Sequence, residues 1–198
     1  MRSFLIYLLN VSAVALAQPV SVGLVGGAGV TQDFENNIFY FSSGSAPITN
    51  YSTPKRLIVG GMLEARLPLH VSIEVDGLYH ELEFTFAGVE PNGTLNSVSP
   101  SPVVTWEFPI LAKYRFSLPL VKPFVEAGPS FRSSGNLNGT LPSNHGFAAG
   151  LGAEARLWKL KIAPQFRYLR WAEDPRSSPY FAPFTKPDQV ELLVSVSY

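Results

Sequence analysis

The sequence predicts an all-β fold, an eight-stranded antiparallel up-and-down transmembrane β-barrel. Three observations predict it. Eight segments alternate apolar and polar residues with a period of two, the connections between them alternate between short and long, and charged residues keep to one face of most segments. A period of two is typical of extended strands and not of helices, whose period is 3.6.

Composition narrows the class of protein. The 198 residues are enough for one domain, and the hydrophobic fraction of 46% excludes a disordered chain. The 15 basic residues balance the 15 acidic ones, so net charge gives no reason to expect a nucleic-acid partner. The absence of cysteine excludes disulfides, thiolate metal sites, cysteine nucleophiles and a lipid-modified N-terminal cysteine.

The N-terminus has the three parts of a secretory signal peptide. Arg2 is the positive start, residues 4–16 are largely apolar, and Ala15-Leu16-Ala17 is an A-x-A cleavage site. The alternative is an uncleaved anchor, but the apolar stretch falls short of the ~20 residues that cross a bilayer as a helix. We therefore predict a signal peptide over residues 1–17 and a mature barrel domain over 18–198.

The connections predict how the strands are arranged. The alternating segments lie at 20–31, 57–67, 70–86, 104–116, 121–132, 146–157, 160–171 and 189–198. Short links lie at 67–69, 117–120 and 158–159, whereas the links at 32–56, 87–103, 133–145 and 172–188 are long and rich in Ser, Asn, Gly and Pro. Short turns at one end and long loops at the other are typical of outer-membrane barrels.

Charge is segregated by face along the strands. In segment 104–116, for example, Trp106 and Phe116 share one face, while Glu107 and Lys113 share the other. A Lys or Arg that faces lipid costs ~2–4 kcal/mol near the bilayer midplane, so we expect the charged faces to line the interior. The predicted interior residues are Glu64, Arg66, Glu74, Asp76, Glu107, Lys113, Arg115, Glu126, Glu154, Arg156, Arg167 and Glu191.

Such a charged interior can have one of two roles. One is a network of salt bridges that fills the barrel, and the other is an ion path. Eight strands enclose a space just wide enough for side chains, which favours the network. The opposite orientation, with charges outside and apolar residues inside, would describe a soluble lipocalin-like barrel that binds a small ligand or lipid.

Two features depart from the regular pattern. Segment 70–86 changes phase, because Val71 and Ile73 are apolar at odd positions and Leu82 and Phe84 at even ones. A β-bulge around Gly77 would explain the change, and so would a hairpin that projects beyond the membrane. In addition, prolines fall inside proposed strands at positions 109, 123, 129 and 164, where each removes a ladder hydrogen bond unless a bulge or strand end accommodates it.

The segment 190–198, ending in Tyr198, resembles the C-terminal recognition strand of outer-membrane β-barrels. The layout of 18–198 is similar to the small eight-stranded family typified by the OmpA transmembrane domain and OmpX. This resemblance implies a bacterial outer-membrane location, a monomer in contact with outer-membrane lipid, and recognition by the barrel-assembly machinery, with Tyr198 as assembly signal. It implies no cofactor and no specific activity.

Several short motifs are candidate functional sites. The glycine-rich stretch 23–29 lacks the G-x-G-x-x-G spacing and is interpreted as strand glycines that leave room for bulky interior side chains. His70-Val71-Ser72 resembles the H-x-S arrangement of outer-membrane lipid A deacylases, although its place beside a short turn argues against that activity. His80 and His145 are isolated in the sequence, and no His pair has metal-ligand spacing.

The long loops contain many aromatic residues, which are either a binding surface or a packed cover over the barrel mouth. They are Phe34, Phe39, Tyr40, Phe41, Tyr51, Tyr180, Phe181 and Phe184. The leading functional hypothesis is a non-enzymatic surface barrel, structural or adhesive through its long loops. The alternatives are the lipocalin-like binding barrel and a lipid A-modifying membrane enzyme.

Overall fold

The computed structural model describes residues 20–39, 47–89, 95–175 and 183–198. The predicted signal peptide lies outside these ranges. Within them, no helix has the length and apolarity needed to cross a membrane. The described residues form ten strands: β1 (Val20–Gly29), β2 (Asn37–Phe39), β3 (Ile48–Ser52), β4 (Leu57–Arg66), β5 (Val71–Val89), β6 (Leu95–Arg115), β7 (Val121–Ser134), β8 (His145–Leu157), β9 (Leu160–Trp171) and β10 (Asp188–Ser197).

Eight of these strands close into an antiparallel up-and-down barrel, as the sequence predicts. The order around the barrel is β1, β4, β5, β6, β7, β8, β9 and β10, and each strand pairs with the next along this series. The barrel closes where β1 pairs with β10, from Gly23 opposite Ser197 to Gly29 opposite Glu191. The short strands β2 and β3, which the sequence analysis did not predict, form a hairpin within the first long connection.

The β5–β6 hairpin is longer than the rest of the barrel. β5 has 19 residues and β6 has 21, whereas β4 and β10 have 10 each. A tilted strand of about 9–11 residues crosses a bilayer, so this hairpin extends well beyond such a span. β4 pairs with β5 as far as His80, and β3 then pairs with β5 from Phe84 to Gly88. The part of the hairpin beyond His80, which we call the β5–β6 extension, therefore belongs to a wider sheet.

The predicted β-bulge around Gly77 is wrong. Val75 opposite Ile110 and Leu78 opposite Glu107 keep one register across Gly77, and the only irregularity in this pairing lies between Gly88 and Val89. The face that carries Glu74 therefore continues without a phase change to Leu82 and Phe84, which are buried. The alternative explanation, a hairpin that projects beyond the membrane, stays a prediction, and the extra length of β5 and β6 is consistent with it.

The four prolines lie inside strands without a register shift. Pro109 pairs with Ser130, and Pro129 pairs with Phe147 in a continuous ladder. The β6–β7 pairs stop at Pro109 and resume at Ala112 in the same register, so the ladder is interrupted locally and not displaced. Of the two accommodations that the sequence suggested, bulges do not occur at these four prolines, because the pairs on either side keep one register.

The barrel interior contains apolar clusters as well as buried charges, and most of those charges come from β5, β6, β7 and β9. One apolar cluster comes from β1, β4, β5 and β10 and comprises Val25, Ile58, Met62, Leu78 and Leu193. Another comes from β6, β8 and β9 and comprises Leu111, Ala148, Leu169 and Trp171. A third, Phe34, Leu82, Phe84 and Val103, lies between the first loop and the β5–β6 extension.

Candidate functional site in the barrel interior

The structure places ten of the twelve predicted interior residues in buried positions. These are Glu64, Glu74, Asp76, Glu107, Lys113, Arg115, Glu126, Glu154, Arg167 and Glu191. Arg66 is partly exposed, and Arg156 is exposed at the short-turn end of the barrel. The buried residues fall into three groups along the barrel, which we call the turn-end, central and loop-end clusters.

The turn-end cluster joins Glu64, Arg66, Ser72, Arg115 and Glu154. The guanidinium of Arg115 donates to Glu64 Oε2 at 2.7 Å and to Glu154 Oε2 at 2.9 Å. It also donates to Ser72 Oγ at 2.6 Å. Arg66 adds a longer contact of 3.3 Å to Glu154. Two cations thus face two carboxylates, so this cluster is balanced in charge.

The central cluster joins Glu74, Asp76, Lys113, Glu126 and Arg167. Arg167 Nη2 is 2.8 Å from Asp76 Oδ2, and Arg167 Nε is 3.2 Å from Glu126 Oε1. Lys113 Nζ donates to Glu74 and lies 3.2 Å from Glu126 Oε2. Because charge burial is tolerated only with partners, these contacts are what allow five ionisable groups to fill the middle of the barrel.

The loop-end cluster joins Asp33, His80, Glu107 and Glu191. His80 Nδ1 is 3.4 Å from Glu107 Oε1, and His80 Nε2 is 4.0 Å from Asp33 Oδ1. Burial raises the pKa of the Asp33 carboxyl to about 6, although nearby positive charge opposes the shift. The prediction that His80 is isolated is therefore wrong. The sequence did contain a signal for its inward orientation, because His80 has an even number on β5, as do Glu74 and Asp76, and so lies on the same face as they do.

Arg132 is a further interior residue that the predicted set omitted. It is buried, donates Nε to the Ser143 carbonyl at 3.0 Å, and lies with its guanidinium carbon 4.3 Å from the Trp171 ring centroid. Its place on the polar face of β7 could be read from the sequence. The stacking on Trp171 could not, because that ring comes from β9.

The opening of the barrel at its short-turn end is basic, and we call it the basic mouth. Here a cavity of about 590 Å³ is lined by five basic residues and one acid: Arg66, Lys122, Arg156, Lys159, Lys161 and Glu154. Arg156 thus belongs to the mouth, where its Nε donates to the Trp158 carbonyl at 3.2 Å. Tyr198, the predicted assembly signal, is exposed and also borders this cavity.

The opposite end is covered by loop residues. Phe34 is buried and packs edge-on against Phe84 with ring centroids 4.9 Å apart, so this loop aromatic belongs to the cover and not to an exposed surface. Tyr51 is partly buried and Phe184 is exposed. Phe39, Tyr40, Phe41, Tyr180 and Phe181 lie where the structure describes no side chain.

The H-x-S pair does not form a catalytic contact in the structure. His70 lies in the tight turn and its Nε2 is 2.8 Å from Ser117 Oγ on the next turn. Ser72 is buried and its hydroxyl accepts a hydrogen bond from Arg115. Nucleophilic catalysis needs the base within hydrogen-bond reach of the nucleophile, and these two side chains have other partners.

The outer face is apolar on all eight barrel strands. Exposed large side chains include Leu24 on β1, Leu63 on β4, Val75 on β5, Ile110 on β6, Val125 on β7, Leu151 on β8, Phe166 on β9 and Val194 on β10. Trp106 and Phe116 are exposed near the two ends of this face, at either end of the predicted segment 104–116. The outward-facing side chains of the barrel strands are thus largely apolar, whereas the buried charges lie inside.

Sequence comparison supplies no relative from which a function could be transferred. No protein-family model matches this chain, and no curated protein matches it either. The functional argument therefore depends on the geometry of the barrel and on its chemistry.

A substitution at Gly152 tests how tightly the barrel interior is packed. A Cβ added there would lie 2.4 Å from Phe124 Cζ and 2.7 Å from the Pro164 carbonyl oxygen. We expect Gly152→Ala to lower the free energy of unfolding by about 1–3 kcal/mol, the usual cost of overpacking, as measured by urea denaturation. Gly26→Ala is the control, since nothing lies within 4 Å of its added Cβ. Equal losses in both variants would contradict this interpretation.

Proposed function

We propose that this chain is a bacterial outer-membrane β-barrel protein that crosses the lipid bilayer with its eight barrel strands. The observation that carries the proposal is the apolar outer face present on every barrel strand around an interior of buried charges. In water, such a surface would be far larger than the apolar patches that monomeric soluble proteins expose. In a bilayer it is the surface that lipid requires.

The same observation favours the membrane protein over a lipocalin-like binding barrel. A lipocalin-like barrel needs an apolar cavity for its ligand, whereas the middle of this barrel holds Arg167 and Lys113 with their carboxylate partners, all buried. These side chains occupy the space that a small ligand or a conducted ion would need. A filled interior supports a role that does not depend on transport through the barrel.

The long loops and the β5–β6 extension support a structural or surface-binding role outside the cell. In outer-membrane barrels the longer connections are extracellular and the short turns are periplasmic. The outward side of the extension is charged, with Lys55 bonded to Glu81 and 3.3 Å from Glu83. A charged surface on a projecting sheet is suited to water or a polar partner. Membrane lipid and the barrel-assembly machinery are the partners this role requires, and a monomer suffices for it.

Fractionation and protease shaving test this proposal together. We expect the protein in the outer-membrane fraction, with a gel mobility in detergent that changes on heating. Protease added to intact cells should cut within the connections at the loop end, 30–56, 90–94, 135–144 or 172–187, and spare the short turns. The predicted connection 87–103 shortens to 90–94, because β5 and β6 extend into it. A soluble periplasmic product, or cleavage confined to the short turns, would overturn the proposal.

A further inference from the structure

The loop-end cluster brings three potential metal ligands together. His80, Glu107 and Glu191 are all buried, and one ligating atom of each lies within 4.8 Å of those of the other two. They come from three strands, β5, β6 and β10. Residues so far apart in the chain meet here only because the barrel closes.

The cluster contains buried atoms that have no hydrogen-bond partner among the described residues. Both carboxylate oxygens of Glu191 are in this state, together with Glu107 Oε2 and Asp33 Oδ2. Glu191 is only 2% exposed, so its charge is almost fully removed from water. A buried carboxylate without a donor is costly, and a bound cation is one of the few arrangements that satisfies it.

The buried charges of the described residues have an acidic excess. Eight carboxylates are buried, on Asp33, Glu64, Glu74, Asp76, Glu107, Glu126, Glu154 and Glu191. Four Lys and Arg side chains are buried with them, on Lys113, Arg115, Arg132 and Arg167. The turn-end cluster has one buried cation for two carboxylates, and the central cluster has two for three. The loop-end cluster has three carboxylates and the nearby buried cation Arg132, so it carries the largest share of the excess, two of four.

We propose that the loop-end cluster binds a divalent transition-metal cation of the zinc class through His80, Glu107 and Glu191. One imidazole nitrogen with carboxylate oxygens is a donor set that Zn²⁺ accepts. Ligands at 2.0–2.2 Å around a tetrahedral ion are about 3.4 Å apart, and His80 Nδ1 is 3.4 Å from Glu107 Oε1. A small side-chain movement of Glu191 completes the set.

Asp33 occupies the position of a supporting residue. With Nδ1 of His80 on the metal, Nε2 carries the proton, and Asp33 Oδ1, now 4.0 Å away, has to move about 1 Å closer to accept it. Metal-bound imidazoles commonly donate their other N–H to a carboxylate, which fixes the tautomer and the ring orientation. Asp33 lies in the loop that follows β1, so this contact joins the metal site to the cover of the barrel. The site goes beyond the proposed membrane role and does not depend on it.

Zinc content tests the proposal directly. The untagged protein is refolded in detergent with Zn²⁺, freed of loose metal by dialysis, and analysed by mass spectrometry. We expect about one zinc ion per folded chain and a higher unfolding midpoint than in chelator-treated protein. Glu191→Gln and Glu107→Gln should each weaken zinc binding at least about ten-fold and abolish the zinc-dependent shift. X-ray absorption should show only nitrogen and oxygen ligands.

Matched variants separate this site from loose binding and from a purely structural role. A His70→Gln, His145→Gln double variant removes the other two histidines and should keep its zinc. Without metal, Glu191→Gln should be at least as stable as the unchanged protein, because the amide removes an unpartnered charge. Lack of bound zinc, zinc retained by the folded fraction of Glu191→Gln, or zinc lost from the double variant would overturn the proposal.

Discussion

Replacing Arg167 with methionine is expected to lower the free energy of unfolding of the barrel by about 3–5 kcal/mol, the usual result of removing one partner from a buried ionic cluster. The Arg167 side chain is fully buried. Its guanidinium bonds Asp76 at 2.8 Å and Glu126 at 3.2 Å, so the substitution leaves both carboxylates inside the barrel with less positive charge. Urea denaturation of the protein refolded in lipid vesicles, followed by tryptophan fluorescence, measures the change.

Arg170 is the matched control on the same strand. It is exposed and its Nη1 is 2.9 Å from Asp188 Oδ1, which is also exposed. Exposed ion pairs contribute little, so Arg170→Met should leave the free energy of unfolding unchanged within error. Adding Asp76→Asn to Arg167→Met should recover part of the loss, because it removes a charge that had lost its partner. Similar losses for Arg167→Met and Arg170→Met would show that burial of the central cluster does not matter.

The sequence predicted the central cluster because the strand pleat alone determines which residues face inward. Glu74, Lys113 and Glu126 could be assigned to the interior by parity, without knowledge of their neighbours. Their pairing could not, since Arg167 meets Asp76 across the barrel from a strand 91 residues away in the chain. Sequence alternation thus gives the face of each residue, and barrel closure gives the partner.

Two predictions about β5 and β6 are wrong, namely the isolation of His80 and the loop at the start of β6. Contacts between distant segments explain both. Leu78 and Leu82 broke the expected polar pattern of the inner face, because this part of the barrel packs Leu78 against an apolar cluster and Leu82 against Phe34. The sequence pattern therefore presents His80, which lies between them, as an isolated polar residue. At the start of β6, residues such as Pro100 and Pro102 resembled a loop. They lie in a strand because β5 pairs with them along its full length. Both errors arise where tertiary contacts override local sequence preference.

Placing an arginine on the outer face should distinguish a barrel in lipid from a barrel in water. Leu151 lies midway along β8, is 60% exposed, and pairs with the outward-facing Val125 and Phe166. In a bilayer, Leu151→Arg should lower the free energy of unfolding by about 2–4 kcal/mol and reduce the amount of protein that reaches the outer membrane. The measurement is urea denaturation in vesicles together with the yield of heat-modifiable protein in cells.

Leu118→Arg is the control for that substitution, because Leu118 is similarly exposed, at 53%, but lies in the turn between β6 and β7. The cost of a lipid-facing arginine falls to about 0–1 kcal/mol near the interface, so the turn variant should assemble normally. In water, both leucines would be ordinary surface positions, and an arginine at either would change stability by no more than about 0.5 kcal/mol. A small, equal effect at both sites would therefore contradict the membrane assignment, whereas a large difference between them requires a nonpolar medium around the middle of β8.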